Sequence, residues 1–310
     1  MAVAIGASGI LGVAREVTPN TYLAPEKFIP FISESLGYVQ DTVWRRPIRN
    51  TSGLVGAVFG NVHIEGEINM EAFDDCVPYF LTASRTLLVK SGAGPYVYTF
   101  TPTSAAVPVK TLSISIKRNA EVMGYVGCVV GSYTFSVGPD GTLMFNVKVV
   151  GSNETTQAAL TPIWPTTVPF GAGMYTMEIP TAAQVFDTDS FEFTSEDNAE
   201  PQYRLRSGGQ RGAMFVKFGE SAASIKVERD FADRADYDNF KGLTSQSITF
   251  KATNAANVIN ITCPVAIKDT YEVAMPSQGD LLRASVTYQA AINTTGEHFT
   301  IVVTSAANII

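Results

Sequence analysis

The sequence predicts a mostly β protein made of two tandem, related β-sandwich or barrel domains, each with one short flanking helix. Three observations predict it. Apolar residues alternate with period two along much of the chain, helical spacing is confined to two short segments, and the pattern beginning at Phe31 returns at Phe193, 162 positions later. A chain of 310 residues is long enough for two cores. Its charged fraction of 16% lies below the roughly 25% usual for a soluble domain. Such a surface suits cover by other copies of the same chain. With 29 acidic against 22 basic residues, the net charge of -7 argues against a protein that grips nucleic-acid backbone, although not against one that lets DNA pass.

Taken in order, residues 1–25 are rich in Gly, Ala and small polar residues and read as an N-terminal arm that a partner orders. The first domain is expected over 26–158. It opens with "FISESLGYVQDTVWRRPIRN", which "FTSEDNAEPQYRLRSGGQRG" echoes in the second half. The alternating "VHIEGEINM" then answers "ASIKVERDF", and Phe73-Asp74 answers Tyr237-Asp238 at an offset of 164. A helix is expected within Met70 to Ser84, with Asn69 as cap and a kink or later start at Pro78. Its counterpart stops at Gly242.

Strands follow in "LSISIK" and "YTFSV", with a tight turn at "SVGPDGTL". "TLMFNVKV" resembles "LLRASVTY" at an offset of only 139, so the first half holds about 25 extra residues, expected around "GYVGCVVGSYTFSVGPDG". A stiff and glycine-hinged stretch containing Pro162, Pro165, Pro169, Gly171 and Gly173 marks a linker at 159–175. The second domain, 176–310, repeats the alternation in "INITC" and "FTIVV".

No chemistry emerges from the motifs. His63 and His298 have no second ligand type at metal spacing, and Asp74-Asp75 and the Asp230 to Asp238 group read as helix-start carboxylates. The glycine-rich "GASGILG" and "SGAGPY" lack the strand, helix and lysine of a phosphate loop. Cys76, Cys128 and Cys263 sit in apolar stretches and read as reduced core thiols. Neither a cofactor nor a catalytic set is expected. No apolar run is long enough for a membrane span. The informative polar residues are arginines repeated in the same part of each unit: Arg45, Arg46 and Arg49, then Arg204, Arg206 and Arg211, with Trp44 and Tyr203 beside them. Solvated loops are one reading. Contact with a neighbouring subunit is the sharper one, because Arg pairs carboxylates bidentately and aromatics anchor interfaces.

The arm with "TYLAPEKFIPFISESL", the passage "GNVHIEGEINMEAF", the pair "GSYTFSVGPDGTLMFNVKVVG" and the start "SFEFTSEDNAE" together resemble the major tail tube proteins of long-tailed bacteriophages, in their form with two tube domains per chain. The resemblance covers nearly the whole sequence. It implies β-sandwich domains joined side by side into a ring whose inner barrel lines a channel, with long loops and the arm holding ring to ring. Three chains would supply six similar wedges, a trimer with pseudo-sixfold symmetry, in preference to a hexamer. It further implies a virion protein synthesised and assembled in the host cytoplasm. Tape-measure, tail-tip and tail-terminator proteins would be its partners, and DNA would pass an acidic wall unbound. The inter-ring loops would fall near 38–60 and 197–217. On this reading, charge reversal at Arg45 plus Arg49, or deletion of residues 1–20, leaves a folded subunit that does not polymerise. The alternative class is another virion β protein: decoration, head-completion or fibre/adhesin.

Overall fold

A computed structural model gives the structure of the chain and describes residues 8–47, 53–103, 110–119, 121–139, 141–180, 183–185, 187–204, 211–231, 234–274 and 280–309. The fold is mostly β, in antiparallel sheets. In the first half β1 (Ile10–Arg15), β2 (Lys27–Ile29), β3 (Ser33–Glu34), β4 (Gly37–Arg45) and β5 (Gly56–Glu71) precede the helix α1 (Val77–Thr82). After it come β6 (Thr86–Ser91), β7 (Tyr96–Pro102), β8 (Leu112–Arg118), β9 (Glu121–Val137), β10 (Met144–Gly151) and β11 (Asn153–Thr156). The second half has β12 (Tyr175–Glu178), β13 (Gln184–Val185), β14 (Thr188–Glu196), β15 (Glu200–Gln202), β16 (Phe215–Lys217) and β17 (Ala222–Asp230) before α2 (Ala235–Lys241). It ends with β18 (Gln246–Asn254), β19 (Asn257–Ala274), β20 (Arg283–Ala290) and β21 (Thr300–Ser305).

The strand pairings occur twice in the same order. In the first half β2, β1, β8, β9, β10, β5 and then β3 with β4 are successive neighbours, and β11 pairs with the near part of β9. In the second half β13, β12, β18, β19, β20, β17 and β14 repeat that order, with β21 on the near part of β19. Even the irregularities recur. The β9–β10 ladder skips Gly131 between Ser132 and Val130, and the β19–β20 ladder skips Asp269 between Thr270 and Lys268. Likewise the step from Leu112↔Cys128 to Ile114↔Tyr125 is matched by Gln246↔Ala266 to Ile248↔Cys263. β-Bulges re-aim a strand at one chosen residue, so two coincident bulges fix the correspondence residue by residue. Val147 falls on Val286 and Tyr133 on Tyr271.

Two expectations change as a result. Through the same ladders Ile68 falls on Val227 and Ser33 on Ser190, offsets of 159 and 157 in place of the 161 and 162 at which the sequence matched those stretches. Strands of period two match equally well when two residues out of register. The extra length also lies elsewhere. Thirty positions separate Thr82 from Leu112, but only five separate Lys241 from Gln246, so the insertion is the β6–β7 hairpin together with the stretch from Pro102 to Leu112, not the β9–β10 region.

The expected helix at Met70 starts late, because β5 runs on to Glu71 and Asn69 is a strand residue paired with Asn146. Cys76 is the N-cap, and Pro78 sits in the first turn, where its missing N–H costs nothing. The second helix stops at Gly242, with Asp236 and Asp238 in its first turn. The three cysteines are free and buried.

The segment read as an arm is, from Ile10 onward, built into the core. Leu11 and Val13 of β1 are fully buried, and β1 lies between β2 and β8. Behind it the buried Glu16 accepts hydrogen bonds from Ser113 Oγ (3.0 Å), Gly127 N (2.8 Å), Asn20 N (2.7 Å) and Thr111 Oγ1 (2.6 Å). A carboxylate so satisfied ties the segment to its own chain. Deleting residues 1–20 would therefore remove a core strand and unfold the first half, instead of leaving a folded, assembly-dead subunit.

Candidate assembly surfaces

Tube-like assembly needs edges and protrusions, and the described residues offer both. β4 and β5 form a long hairpin whose outer part is apolar and exposed: Val43 56%, Trp44 58%, Val58 49% and Phe59 72% exposed. Alternation of apolar residues on both faces of a strand pair has no use in a lone monomer, since a half-buried strand needs one face only. Arg45 and Arg46 are exposed near the hairpin's end. Arg49 and Arg206 lie outside the described residues.

The second-half loop does not project freely. Its described part packs on the first-half hairpin, within the same chain. Val62 donates to the Arg211 carbonyl at 3.0 Å and bridges to Gly212, and the Arg211 guanidinium sits 4.7 Å from the centre of the Phe59 ring. Tyr203 Oη lies 2.9 Å from His63 Nδ1, while Arg204 stacks 5.5 Å from Phe215 within its own loop. The two clusters that the sequence placed in equivalent positions thus divide: Trp44, Arg45 and Arg46 face solvent, while Tyr203 and Arg211 are engaged.

Two seams join the halves. In one, β14 pairs with the far part of β9, Phe193 opposite Phe135 and Thr194 opposite Thr134. Tyr133 is 1% exposed there, with Phe193 at 6.3 Å between ring centres, and burial pushes its phenol pKa up. In the other, β21 pairs with β7 of the inserted hairpin, Ile301 opposite Phe100.

Polar pins cross both seams. Arg85 donates through Nη1 to the Gly219 carbonyl at 2.6 Å, and its backbone N–H donates to Asp197 Oδ2 at 3.3 Å. Asp197 also accepts from Ser221 (2.7 Å); burial nevertheless raises its carboxyl pKa. Asp74 accepts from Ser305 at 2.5 Å and is raised by burial too, so this carboxylate is a seam pin more than a helix-start charge. Ile309 N donates to Tyr98 Oη at 2.8 Å. Nothing in the sequence marks Arg85, Asp197 or Ser305, because each acts on a residue more than a hundred positions away.

The sheet running β5, β10, β9, β14, β17, β20 and β19 presents one polar face. Across it Asn69, Asn146, Thr134, Thr194, Ser224 and Gln289 stand in successive register. Alternation puts Glu67, Glu71, Glu192, Glu196, Glu228 and Glu272 on this face, against Lys148, Lys226 and Arg283. Lys148 pairs with Glu65 at 3.2 Å and Lys226 with Glu228 at 3.6 Å. Among the described residues no group of His, Cys, Asp and Glu is arranged to hold a metal ion, and no helix is long and apolar enough to cross a membrane.

An antiparallel β framework stated twice, joined through strand edges and carrying an exposed apolar hairpin, defines a β structural protein made for association. The comparison with known families is specific about which. The phage tail tube protein model matches residues 6–290, and the chain belongs to that family. It is a structural protein of the virion tail, of a family that self-assembles into a tube. None of the curated proteins matches the chain.

Proposed function

We propose that three copies of this chain close into a pseudo-sixfold ring and that rings stack into the tail tube through which the genome passes. In this reading each half is one tube domain, the first made of 26–158 together with β1 from the segment before it and the second of 176–310, joined by the linker at 159–175. The observation that carries it is the repeated ladder with its two coincident bulges. A duplicated wedge lets an odd number of chains complete an even ring, and a closed ring removes the exposed strand edges that otherwise recruit unwanted partners.

The polar face of the long sheet is the channel wall. Its excess of carboxylates repels DNA phosphates and so favours sliding over adsorption. Trp44, Arg45 and Arg46 on the protruding hairpin reach the next ring, with Arg49, outside the described residues, as a further candidate; a desolvated aromatic and a fork of donors form the core of a contact. Tyr203 and Arg211 brace that hairpin, and Arg204 and Arg206 belong to the same loop. Tape-measure, tip and terminator proteins meet the ends of the stack, and assembly takes place in the host cytoplasm.

Negative-stain electron microscopy of concentrated protein tests this reading. Hollow tubes of stacked rings are expected, and a population that stays monomeric at every concentration would sink it. Charge reversal at Arg45 plus Arg49 should leave monomer folding unchanged by circular dichroism while abolishing tubes. Normal tubes from that variant would remove the hairpin from the inter-ring contact.

A further inference from the structure

The chain fills the seam between β9 and β14 and contains the parts of a second one like it that it does not fill itself. The far part of β9 pairs with β10 on one side and with β14 on the other. The corresponding part of β19 pairs with β20 on one side, and no ladder among the described residues runs along its other side at Thr270, Glu272 and Val273. At the opposite end of the framework, β14 pairs on both sides, with β17 and β9, whereas its counterparts β3 and β4 pair with β5. One half has a strand edge where the other has an occupant, and the occupant's counterpart has the complementary edge.

We infer that, within the ring proposed above, the edge of β19 at 270–273 receives residues 36–39 of a second copy, antiparallel, with Val273 opposite Leu36, Glu272 opposite Gly37 and Thr270 opposite Val39. The register is not free. The bulges place β9 on β19 and the β5 and β17 ladders place residues 33–39 on 190–196, so the pairing of Phe193 with Phe135 transfers to Leu36 with Val273. A one-residue slip would turn every side chain to the wrong face.

Exposure agrees with an absent neighbour at two positions. Phe135 is fully buried in the filled seam whereas its counterpart Val273 is only partly buried, and Ser195 is 1% exposed there whereas its counterpart Tyr38 is 36% exposed; Leu36, like Phe193, is already buried within its own half. The edge is also guarded. Arg118 forks onto Glu34 (2.8 and 2.6 Å) and donates to the Leu36 carbonyl, and the Leu36 backbone tucks over Gly66, whose added Cβ would lie 2.6 Å from it. Such caps keep an edge strand from promiscuous pairing until the right partner arrives. The intermolecular seam is also the narrower one. No second-half counterpart of the β6–β7 hairpin exists in the four residues between α2 and β18, so nothing repeats the β7–β21 pairing there.

The test is a Gly37→Cys/Glu272→Cys double variant. Both sites lie on the polar face, the counterparts Thr134 and Thr194 have hydroxyls 3.0 Å apart, and a Cβ at Gly37 meets only the Ser35 carbonyl at 3.8 Å. The native thiols are buried and give no background. After mild oxidation under ring-forming conditions, non-reducing electrophoresis should show linked chains ending at a trimer. Directly opposed Cβ atoms lie within about 5.5 Å and diagonal ones at about 7–8 Å, so the yield should exceed that of Val39→Cys/Glu272→Cys by at least about tenfold. Rings seen by microscopy with no 37–272 link, or with the 39–272 link dominant, overturn the register and leave the tube reading standing. Wild-type chains that never form rings overturn both.

Discussion

The two halves share a framework and differ in how much of it the chain covers. All six residues of α1 are buried, whereas no residue of α2 is. β9 has neighbours along both sides of its far part, filled by β14, while β19 offers its edge. The cores differ as well. Met70 and Val130 of the first half stand where Arg229 and Lys268 stand in the second, and both cations pair with Asp236 of α2. Identical hydrogen-bond topology thus tolerates an apolar core on one side and an ionic cluster on the other. The ladder is set by backbone groups and bulges, and the side chains then adapt to whatever covers them.

The sharpest way to break this comparison is at the paired tyrosines. Tyr133→Ala should cost about 3–5 kcal/mol in urea unfolding of the free chain, since it opens a cavity in a closed seam. Tyr271→Ala, at a partly buried position, should cost about 1–2 kcal/mol. Equal costs would mean that β19 is as enclosed as β9 before assembly. Next in size is the ionic cluster. Asp236→Ala strands Arg229 and Lys268, whose side chains are 15% and 0% exposed, and should destabilise by about 3–5 kcal/mol. The triple change Arg229→Met/Asp236→Ala/Lys268→Val, which imitates the first half, should recover that loss and add up to about 4 kcal/mol. A triple variant no better than the single would show that the second core has been shaped around its charges.

Trp44→Ser should move monomer stability by no more than about 0.5 kcal/mol, because the side chain is exposed, and should raise the concentration needed for tubes in light scattering. The smallest effect is one of pH. Burial raises the Asp197 carboxyl above its ordinary 3.8, so the folded chain holds that proton where the unfolded chain has lost it. Its contribution is therefore full below pH 3.8 and declines as pH rises through the folded value. Asp197→Ala should flatten the fall in stability as pH rises above 3.8, measured by urea midpoints, and an unchanged slope would assign the pH dependence to other carboxyls.

Much of the fold was legible because strands announce themselves. Alternation in "LSISIK", "YTFSV" and "FTIVV" marks β8, β9 and β21, and the Pro and Gly residues after Gln157 mark the passage between halves. The site was legible only in part. Trp44 and Arg45 are exposed, but on strand β4 of a hairpin where the sequence read a loop, and Tyr203 and Arg211 turn back onto His63 and Phe59 of the same chain. The arm reading fails at Ile10 to Arg15, where small residues disguise a core strand that only its partners β2 and β8 reveal.

By itself, then, the sequence determined the β class, the echo of one half in the other, the buried thiols and the acidic net charge, because periodicity and composition are local quantities. Tertiary structure decided the register of the repeat, the place of the inserted hairpin, the seam pins at Arg85, Asp197 and Ser305, and which edge stays open. Those depend on which strands pair and in what register, in the seams between residues more than a hundred positions apart, and a backbone hydrogen bond carries no side-chain signature from which its partner can be read.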